Sequence, residues 1–561
     1  RVVPDTSSMY IPSVYLFSTD SIFLLSFYRY RHHLKPPSCP TRRSSDRDRI
    51  ILWTRVTPAK TYTKTITVSW QVTEVSTPHK VIASGETQTN ASRDWTVKVD
   101  ATGLAAATNY TYRFSVITSE GTVTSREGRM RTPSLSGNAP VNLGVVSCSN
   151  WQFGYFNAYR ALSEEQGLDA IVHLGDYFYE YGVDGYGGDV ATKIGRIHEP
   201  DTEIISLSDY RARHAQYKTD PDLQAAHATA AWICTWDDHE SANDSSRTGA
   251  QNHNPDQGEA EWSTRKQIAL QAYFEWMPIR EPEAGNITSA VYRSFRFGDV
   301  ATLHALETRL TGRSKSIGWF EILGDATTPE AYAEKAKAGL AEISDPSRTM
   351  MGAQQEEWLA KALKASVDSG AAWQILGNQV VMARTKLPDL TTTLSDAPKA
   401  KQQNGFVQQM IAFSALGLPM NLDAWDGYPA ARERLYAGAK AAGARLLTLT
   451  GDTHTAWGNT LADKDGQRRG IELGCTSISS PGSGEYVVDV PDLGPRIASV
   501  NSEVNYHDPF GHGYTRLVLT DKTATADFVK VSSILEKDYK TTRTTLASEI
   551  GPEGVTELRR V

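Results

Sequence analysis

Five times in this chain a short apolar run, without the 3.6-residue period of a surface helix, stops at residues of metal-ligand type. Val141–Ser147 stops at Cys148, and Ala170–Leu174 stops at Gly175-Asp176 with Tyr179 three residues on. Ala230–Trp236 stops at Asp237-Asp238-His239-Glu240, Trp373–Leu376 at Gly377-Asn378, and Leu446–Thr450 at Gly451-Asp452 with His454 two residues on. Such runs read as buried parallel strands, which need crossover helices and therefore a layered α/β domain. Their carboxyl ends open into one crevice, the place where open α/β sheets bind ligands. Asp176 is short and anionic, which suits a carboxylate bridging two cations, and Tyr179 offers a phenolate to a strongly Lewis-acidic one.

The rest of the chain is arranged around that domain. Short alternating runs at Ile50–Val56, Thr65–Val72, Trp95–Val99 and Tyr110–Val116, separated by polar turns, predict a small all-β domain over 47–133. Leu104 followed by Thr108-Asn109-Tyr110 resembles the corner of immunoglobulin and fibronectin sandwiches. Residues 134–140 read as a linker, 141–531 as the catalytic domain, and 532–561 as a C-terminal segment that either caps the cleft or trails from it. Residues 1–46 have neither period nor turn logic and read as disordered or foreign to the protein. Within them the apolar stretch Ser21–Tyr28 is followed, not preceded, by basic residues, so no usable export signal is expected. No run of 18 uninterrupted apolar residues occurs, and no membrane-spanning helix is expected. A net charge of −7 argues against broad electrostatic binding of nucleic acid. Cys39, Cys148, Cys234 and Cys475 form no CxxC pair, which sets aside zinc-finger and thioredoxin readings.

The ordered series of strand ends has the layout of a dinuclear metallophosphoesterase, and from about residue 48 onward the chain resembles the alkaline phosphatase D (PhoD-like) family. The motifs that carry the resemblance are Asp48–Arg55, Ser147–Ser149, Gly175–Glu180, Trp236–Glu240, Gly377–Gln379, Asp423–Tyr428 and Thr450–His454. The resemblance implies an α/β (α+β) four-layer metallophosphoesterase-like sandwich preceded by an immunoglobulin-like domain. It also implies a purple-acid-phosphatase-like ligand plan. By that plan Cys148, Asp176, Tyr179 and His454 hold Fe3+, and Asp176 bridges to Ca2+ held through Asp238, Asn378 and Asp452. Thiolate, phenolate and imidazole suit a redox-capable metal, whereas carboxylate and amide oxygens suit a hard cation. His239 would lie beside the phosphate and act with Asp176 as the catalytic pair. The implied reaction is in-line attack on a small phosphate ester by a metal-bound hydroxide or oxide, without a covalent intermediate. Ser147 and Ser149 lack the flanking glycines of a nucleophile elbow. Export to the periplasm or the medium is implied too, and a monomer is expected.

Several residues stay open between two readings. Arg309 and Arg384 follow strands and either hold phosphate or form structural ion pairs. Asp423, Asp426 and Tyr428 either touch substrate or pin a loop. Asp237 and Glu240 read as loop-fixing groups, and His173, Cys234 and Cys475 read as core. Two departures from the family pattern stand out: Pro36–Asp46 replaces the usual first strand of the sandwich, and Glu307 replaces an aspartate before Thr308-Arg309. The expected function is that of an alkaline phosphomonoesterase. The rivals are a phosphodiesterase of phospholipase D type on the same site, and a non-catalytic binding protein working through its β-sandwich.

Overall fold

A computed structural model describes residues 23–26, 48–59, 62–77, 79–283, 291–324, 326, 328–390, 414–487 and 490–561. The segment 1–46 therefore lies outside the described residues, apart from Phe23–Ser26, whose backbone pairs antiparallel with Arg49–Arg55.

In the N-terminal region, period-two alternation builds the core. Along Ile66–Glu74, Val68 and Val72 are fully buried while Thr67 and Gln71 face out. This strand pairs antiparallel with Val81–Thr89 and Asn109–Thr118, and Gly121–Thr124 and Gly128–Arg131 complete a five-stranded sheet. Arg49–Arg55 pairs with Thr96–Thr102 in a second sheet. Ile50, Leu52, Val97 and Val99 pack with Val68, Val72, Tyr112 and Phe114. Between Leu104 and the strand Asn109–Thr118, Ala105 N donates to Tyr110 Oη at 2.8 Å. Trp53, fully buried, docks this region onto the next: its Nε1 donates to Glu275 O at 2.8 Å and its ring lies 5.8 Å from that of Trp276.

The apolar runs form parallel strands in two sheets. Ala170–His173 lies between Val141–Val146 and Ala231–Cys234 and is parallel to both. Their eight-stranded sheet continues antiparallel through His512–Leu519, Thr523–Val531 and Thr541–Gly551. In a seven-stranded sheet Ala301–Ala305, Trp373–Gly377, Leu446–Thr450 and Arg468–Gly474 run parallel. Leu143, Val145 and Ile171 of the first sheet share a core with Ile375, Leu447, Leu449 and Ile471 of the second. Each such side chain contributes about 1.5–3 kcal/mol on burial. Helices close the outer faces. Asn157–Glu164 and Pro221–Thr229 pack together on the eight-stranded side. Gly352–Asp368 and Pro429–Ala442 bury Leu359, Leu363, Leu435 and Tyr436 in one cluster with Leu376 and Leu446.

The C-terminal segment, weighed above as a cap on the cleft, is built into the sheet instead. Thr541–Gly551, Gly554–Val555 and Arg559–Arg560 are strands there, and Leu546, Val555 and Leu558 are buried in the core. Their apolar side chains explain the difference, because they need a partner face.

Candidate metal centre

Strained loops deliver the predicted ligands. Nine described non-glycine residues have positive φ, and four of them are Cys148 (60°), Asp176 (53°), Asp452 (64°) and His454 (62°). Left-handed backbone costs an L-residue roughly 1–2 kcal/mol, so the strain is gathered where the ligands converge. Two glycines allow the loops to stack. A Cβ on Gly175 would sit 2.3 Å from Asp237 N, and one on Gly451 would sit 2.7 Å from Ser147 Oγ. Glu240 ties two of these loops together, accepting from the backbone N–H groups of Asp176 (3.0 Å), Tyr177 (2.7 Å) and Asp237 (2.9 Å).

The first half of the rim gathers soft and neutral donors. Ligand atoms of Cys148, Asp176 and His454 lie within 4.8 Å of one another. Tyr179 Oη donates to Asp176 Oδ2 at 3.1 Å, accepts from Ser480 Oγ at 2.7 Å, and lies 3.0 Å from His454 Nε2. Pro481 O lies 2.8 Å from His454 Nδ1, which must carry the proton. The Nε2 lone pair therefore faces the cluster, the tautomer a metal-ligating histidine needs. Burial pushes the Cys148 thiol and the Tyr179 phenol well up, and the neighbouring Asp176 carboxylate adds to both. Burial likewise raises Asp176 well above its ordinary value and lowers His454 to about 4. Asp176 Oδ1 has no hydrogen-bond partner although the residue is 1% exposed. An orphaned buried oxygen among acids whose charged forms are disfavoured fits a bound cation, which would reverse the upward shifts of Cys148, Tyr179 and Asp176 and keep His454 neutral.

The second half gathers carboxylates. Asp176 forms a further close group with Asp238 and His239, and Asp237, Asp238 and Asp452 form a third. Arg309, fully buried, threads them. Its Nε donates to Asp237 Oδ1, its Nη1 to Asp423 Oδ2 and its Nη2 to Asp452 Oδ1 at 2.8 Å, with Asp238 Oδ1 at 3.8 Å. Burial alone would raise Asp238, but the Arg309 and His239 charges hold its carboxyl well below the usual range. Asn378 sits buried at its strand end, where its Nδ2 donates to Val380 O at 2.5 Å and its Oδ1 accepts from Trp425 Nε1 at 3.3 Å. Beside both halves stands His239, its Nδ1 2.7 Å from Glu180 Oε2 and its ring 4.1 Å from that of Tyr179.

Two family models match the chain that carries this rim. The PhoD-like phosphatase model matches residues 143–528, and the model of the PhoD-like phosphatase N-terminal domain matches residues 44–134. The chain belongs to the PhoD-like phosphatase family. It is similar to alkaline phosphatase D of Bacillus subtilis (strain 168), with 30% identity over 531 residues, 92% of this chain and 80% of that protein. A solved structure of PhoD matches with a TM-score of 0.75 and 26% identity, covering 97% of this chain and 93% of that one. A purple acid phosphatase isolated from yellow lupin (Lupinus luteus) seeds, 12% identical, shares the fold at a TM-score of 0.50 over 86% of this chain and 70% of its own. With the family comes the reaction class, metal-dependent hydrolysis of phosphoric esters.

Not every candidate joins the rim of this PhoD-like phosphatase. Arg384, considered above for phosphate, is engaged elsewhere. Its Nη1 donates to Ala462 O at 2.7 Å and to Glu503, and its Nη2 donates to Glu433 at 2.8 Å. Its guanidinium is held by carboxylates of neighbouring elements, the ion-pair alternative of the two readings. Asp423 clamps both Arg309 and Arg313, and Asp426 pairs with Arg432 at 2.8 Å. Tyr428 Oη donates to Ser314 O at 2.9 Å, so all three residues of that motif brace loops. Glu307 accepts from the backbone of Arg309 (2.8 Å), Leu310 (2.6 Å) and Thr311 (2.9 Å), which holds the turn that presents Arg309. Glu180 went unassigned in the sequence. Its position directly after Tyr179 in a ligand motif was the available signal.

Proposed function

We propose that the chain is a secreted or periplasmic phosphomonoesterase active at alkaline pH on small phosphate esters. Fe3+ would be held by Cys148, Asp176, Tyr179 and His454, and Ca2+ by Asp176, Asp238, Asn378 and Asp452. The observation that carries the reading is that Asp176 belongs to two ligand groups at once, one with the Cys148 thiol and the His454 imidazole and one with the Asp238 carboxylate and His239, whose Nδ1 is taken by Glu180. That donor split suits a transition metal beside a hard cation. Such ions, when bound, supply Lewis acidity to the phosphoryl oxygens and acidify water.

The chain's own residues do the positioning. Pro481 O and Ser480 Oγ orient His454 and Tyr179. Glu180 holds His239 by Nδ1, leaving Nε2 to give a proton to the leaving-group oxygen. With side-chain exposures of only 9% at His239, 12% at His454 and 15% at Asp452, little of the site is open to solvent, which we read as a narrow mouth. A terminal phosphate enters such a mouth more readily than one flanked on both sides, which favours monoesters. The N-terminal region, 47–133, is read as an immunoglobulin-like scaffold, supported by the Tyr110 corner, with 134–140 as linker and 141–531, joined in its sheet by the strands after 531, as the catalytic domain of a monomer. Export rests on the family resemblance.

Metal analysis with a visible spectrum, alongside turnover of nitrophenyl phosphate and bis-nitrophenyl phosphate, tests the proposal. Iron with calcium, a tyrosinate band and preference for the monoester are expected. Colourless protein holding zinc or manganese would remove the Tyr179–iron assignment, and preference for the diester would overturn the substrate reading.

A further inference from the structure

The mouth of the site has two chemically different walls. One is ionic, made by the carboxylates of Asp423 and Asp452 with the buried Arg309 behind them. The other is aromatic, and ester hydrolysis alone does not require it. The Tyr181 ring lies 5.5 Å from His239, and the Tyr186 ring lies 6.2 Å from His454 and 5.9 Å from Tyr179. Farther out stand Tyr486, hydrogen-bonded to Tyr186, and Phe510, which are 36% and 38% exposed.

The ledge bearing these outer rings is anchored along its length. It leaves the ligand cluster at Ser480, which donates to Tyr179 Oη. Pro481 O then accepts from His454 Nδ1 and from Tyr186 Oη, each at 2.8 Å. Glu485 accepts from Gly482 N at 2.7 Å and pairs with His512 at 2.9 Å, and Gly484 N donates to Pro509 O at 3.0 Å. A Cβ on Gly484 would come within 2.4 Å of Phe510 Cδ1, so the Phe510 ring lies against that glycine. A few residues thus carry an aromatic surface from the ligands to solvent. Large rings held at a surface beside charged groups are suited to cover by a flat partner.

We infer that this wall is a subsite for the organic half of the substrate, and that the ester it takes carries a planar aromatic ring, as a nucleoside 5′-monophosphate does. The phosphate lies at the ligand cluster and the ring stacks on Tyr486 and Phe510. The inference rests on the monoesterase reading. Stacking tolerates many ring systems, so the wall selects a class of ester rather than one compound.

The test compares kcat/KM for adenosine 5′-monophosphate and ribose 5-phosphate, which present the same primary ester and so cancel intrinsic reactivity. The nucleotide is expected to be better by about tenfold to a hundredfold, the range base–aromatic stacking gives. The double variant Tyr486→Ala, Phe510→Ala should bring that ratio toward one. Adenosine should compete in the parent and lose that competition in the double variant. Equal rates for the two esters in the parent, or a ratio that survives in the double variant, overturns the subsite. Turnover of a diester with neither monoester would strike the monoester reading. Adenosine then decides the subsite separately: inhibition abolished by the double substitution keeps it, and absent inhibition removes it.

Discussion

The two halves of the ligand rim are charge-balanced in opposite ways. Around Cys148, Tyr179 and His454, hydrogen bonds run among the donors themselves and to Pro481 O, and Asp176 Oδ1 is left without a partner. Among the described residues no lysine or arginine forms an ion pair with Cys148, Asp176 or Tyr179. Around Asp237, Asp238 and Asp452, one buried arginine already serves four carboxylates, Asp423 included. The first half therefore holds its acids neutral by burial, with the His239 charge beside Asp176, until a cation binds. The second keeps its shape through ion pairs, and a cation there competes with a guanidinium.

The most severe way to break this comparison is to remove the residue common to both halves. Asp176→Ala is expected to lose both ions and to lower kcat/KM by at least about a thousandfold, read by metal analysis and steady-state rates. On the proposed iron–calcium assignment, Asp238→Ala, confined to the carboxylate half, should keep iron and its colour while losing calcium. Equal loss of both ions in the two variants would show that the halves are not separable. Arg309→Met tests the other half of the argument. Stranding a buried charge set by removing its partner typically costs about 3–5 kcal/mol, measured here by urea unfolding. Added calcium should restore more stability to this variant than to the parent. If the variant unfolds at the parent's midpoint, ion pairing is not what holds the carboxylate half.

His239 and Glu180 stand between the halves and respond to pH. Burial lowers the His239 imidazole, but the charges of Glu180, Asp238 and Asp176 outweigh it and hold the group well above its ordinary value. Burial would raise Glu180, yet the charge and hydrogen bond of His239 bring it below its ordinary value. The stability from His239 is thus fully present below the ordinary histidine pKa and is lost as pH rises through the raised one. That from Glu180 is present above the ordinary glutamate pKa and is lost as pH falls through the depressed one. Glu180→Gln removes the first of the charges that raise His239. The alkaline limb of the kcat/KM profile should move to lower pH by about one unit or more, with kcat down roughly tenfold to a hundredfold. An alkaline limb that stays in place would remove His239 from proton transfer.

The strand ends were legible in the sequence because a buried parallel strand needs an apolar run, and a run that stops at Gly175-Asp176 or Gly451-Asp452 names its own carboxyl end. The left-handed backbone at Cys148 and His454 was not legible. Tertiary contacts impose it, such as Cys148 N donating to Gly175 O at 3.1 Å. Glu180 escaped because its partner is 59 residues away, beyond any local pattern. The strand Thr541–Gly551 was hidden for a different reason: its polar, threonine-rich face reads as solvated until Leu546 and Ser548 are seen buried against the sheet. Arg309 and Arg384 were indistinguishable, since both follow strands and sequence does not reveal what a guanidinium will meet.

That last pair gives the mildest test. Arg384 side-chain exposure is 36%, and its partners Glu433 and Glu503 belong to the helix Pro429–Ala442 and to the turn before Val504–Asp508. Glu503 keeps a second bond after truncation, because the backbone N–H of Arg384 also donates to it at 3.0 Å. Arg384→Ala should therefore cost only about 1 kcal/mol of stability and leave kcat/KM within about twofold of the parent. Arg309, with the same position relative to its strand, should lose far more on both measures. If Arg384→Ala instead lowered kcat/KM tenfold with an unchanged unfolding midpoint, the contrast between the two arginines would fail, and phosphate binding would extend beyond the rim to the edge of the seven-stranded sheet.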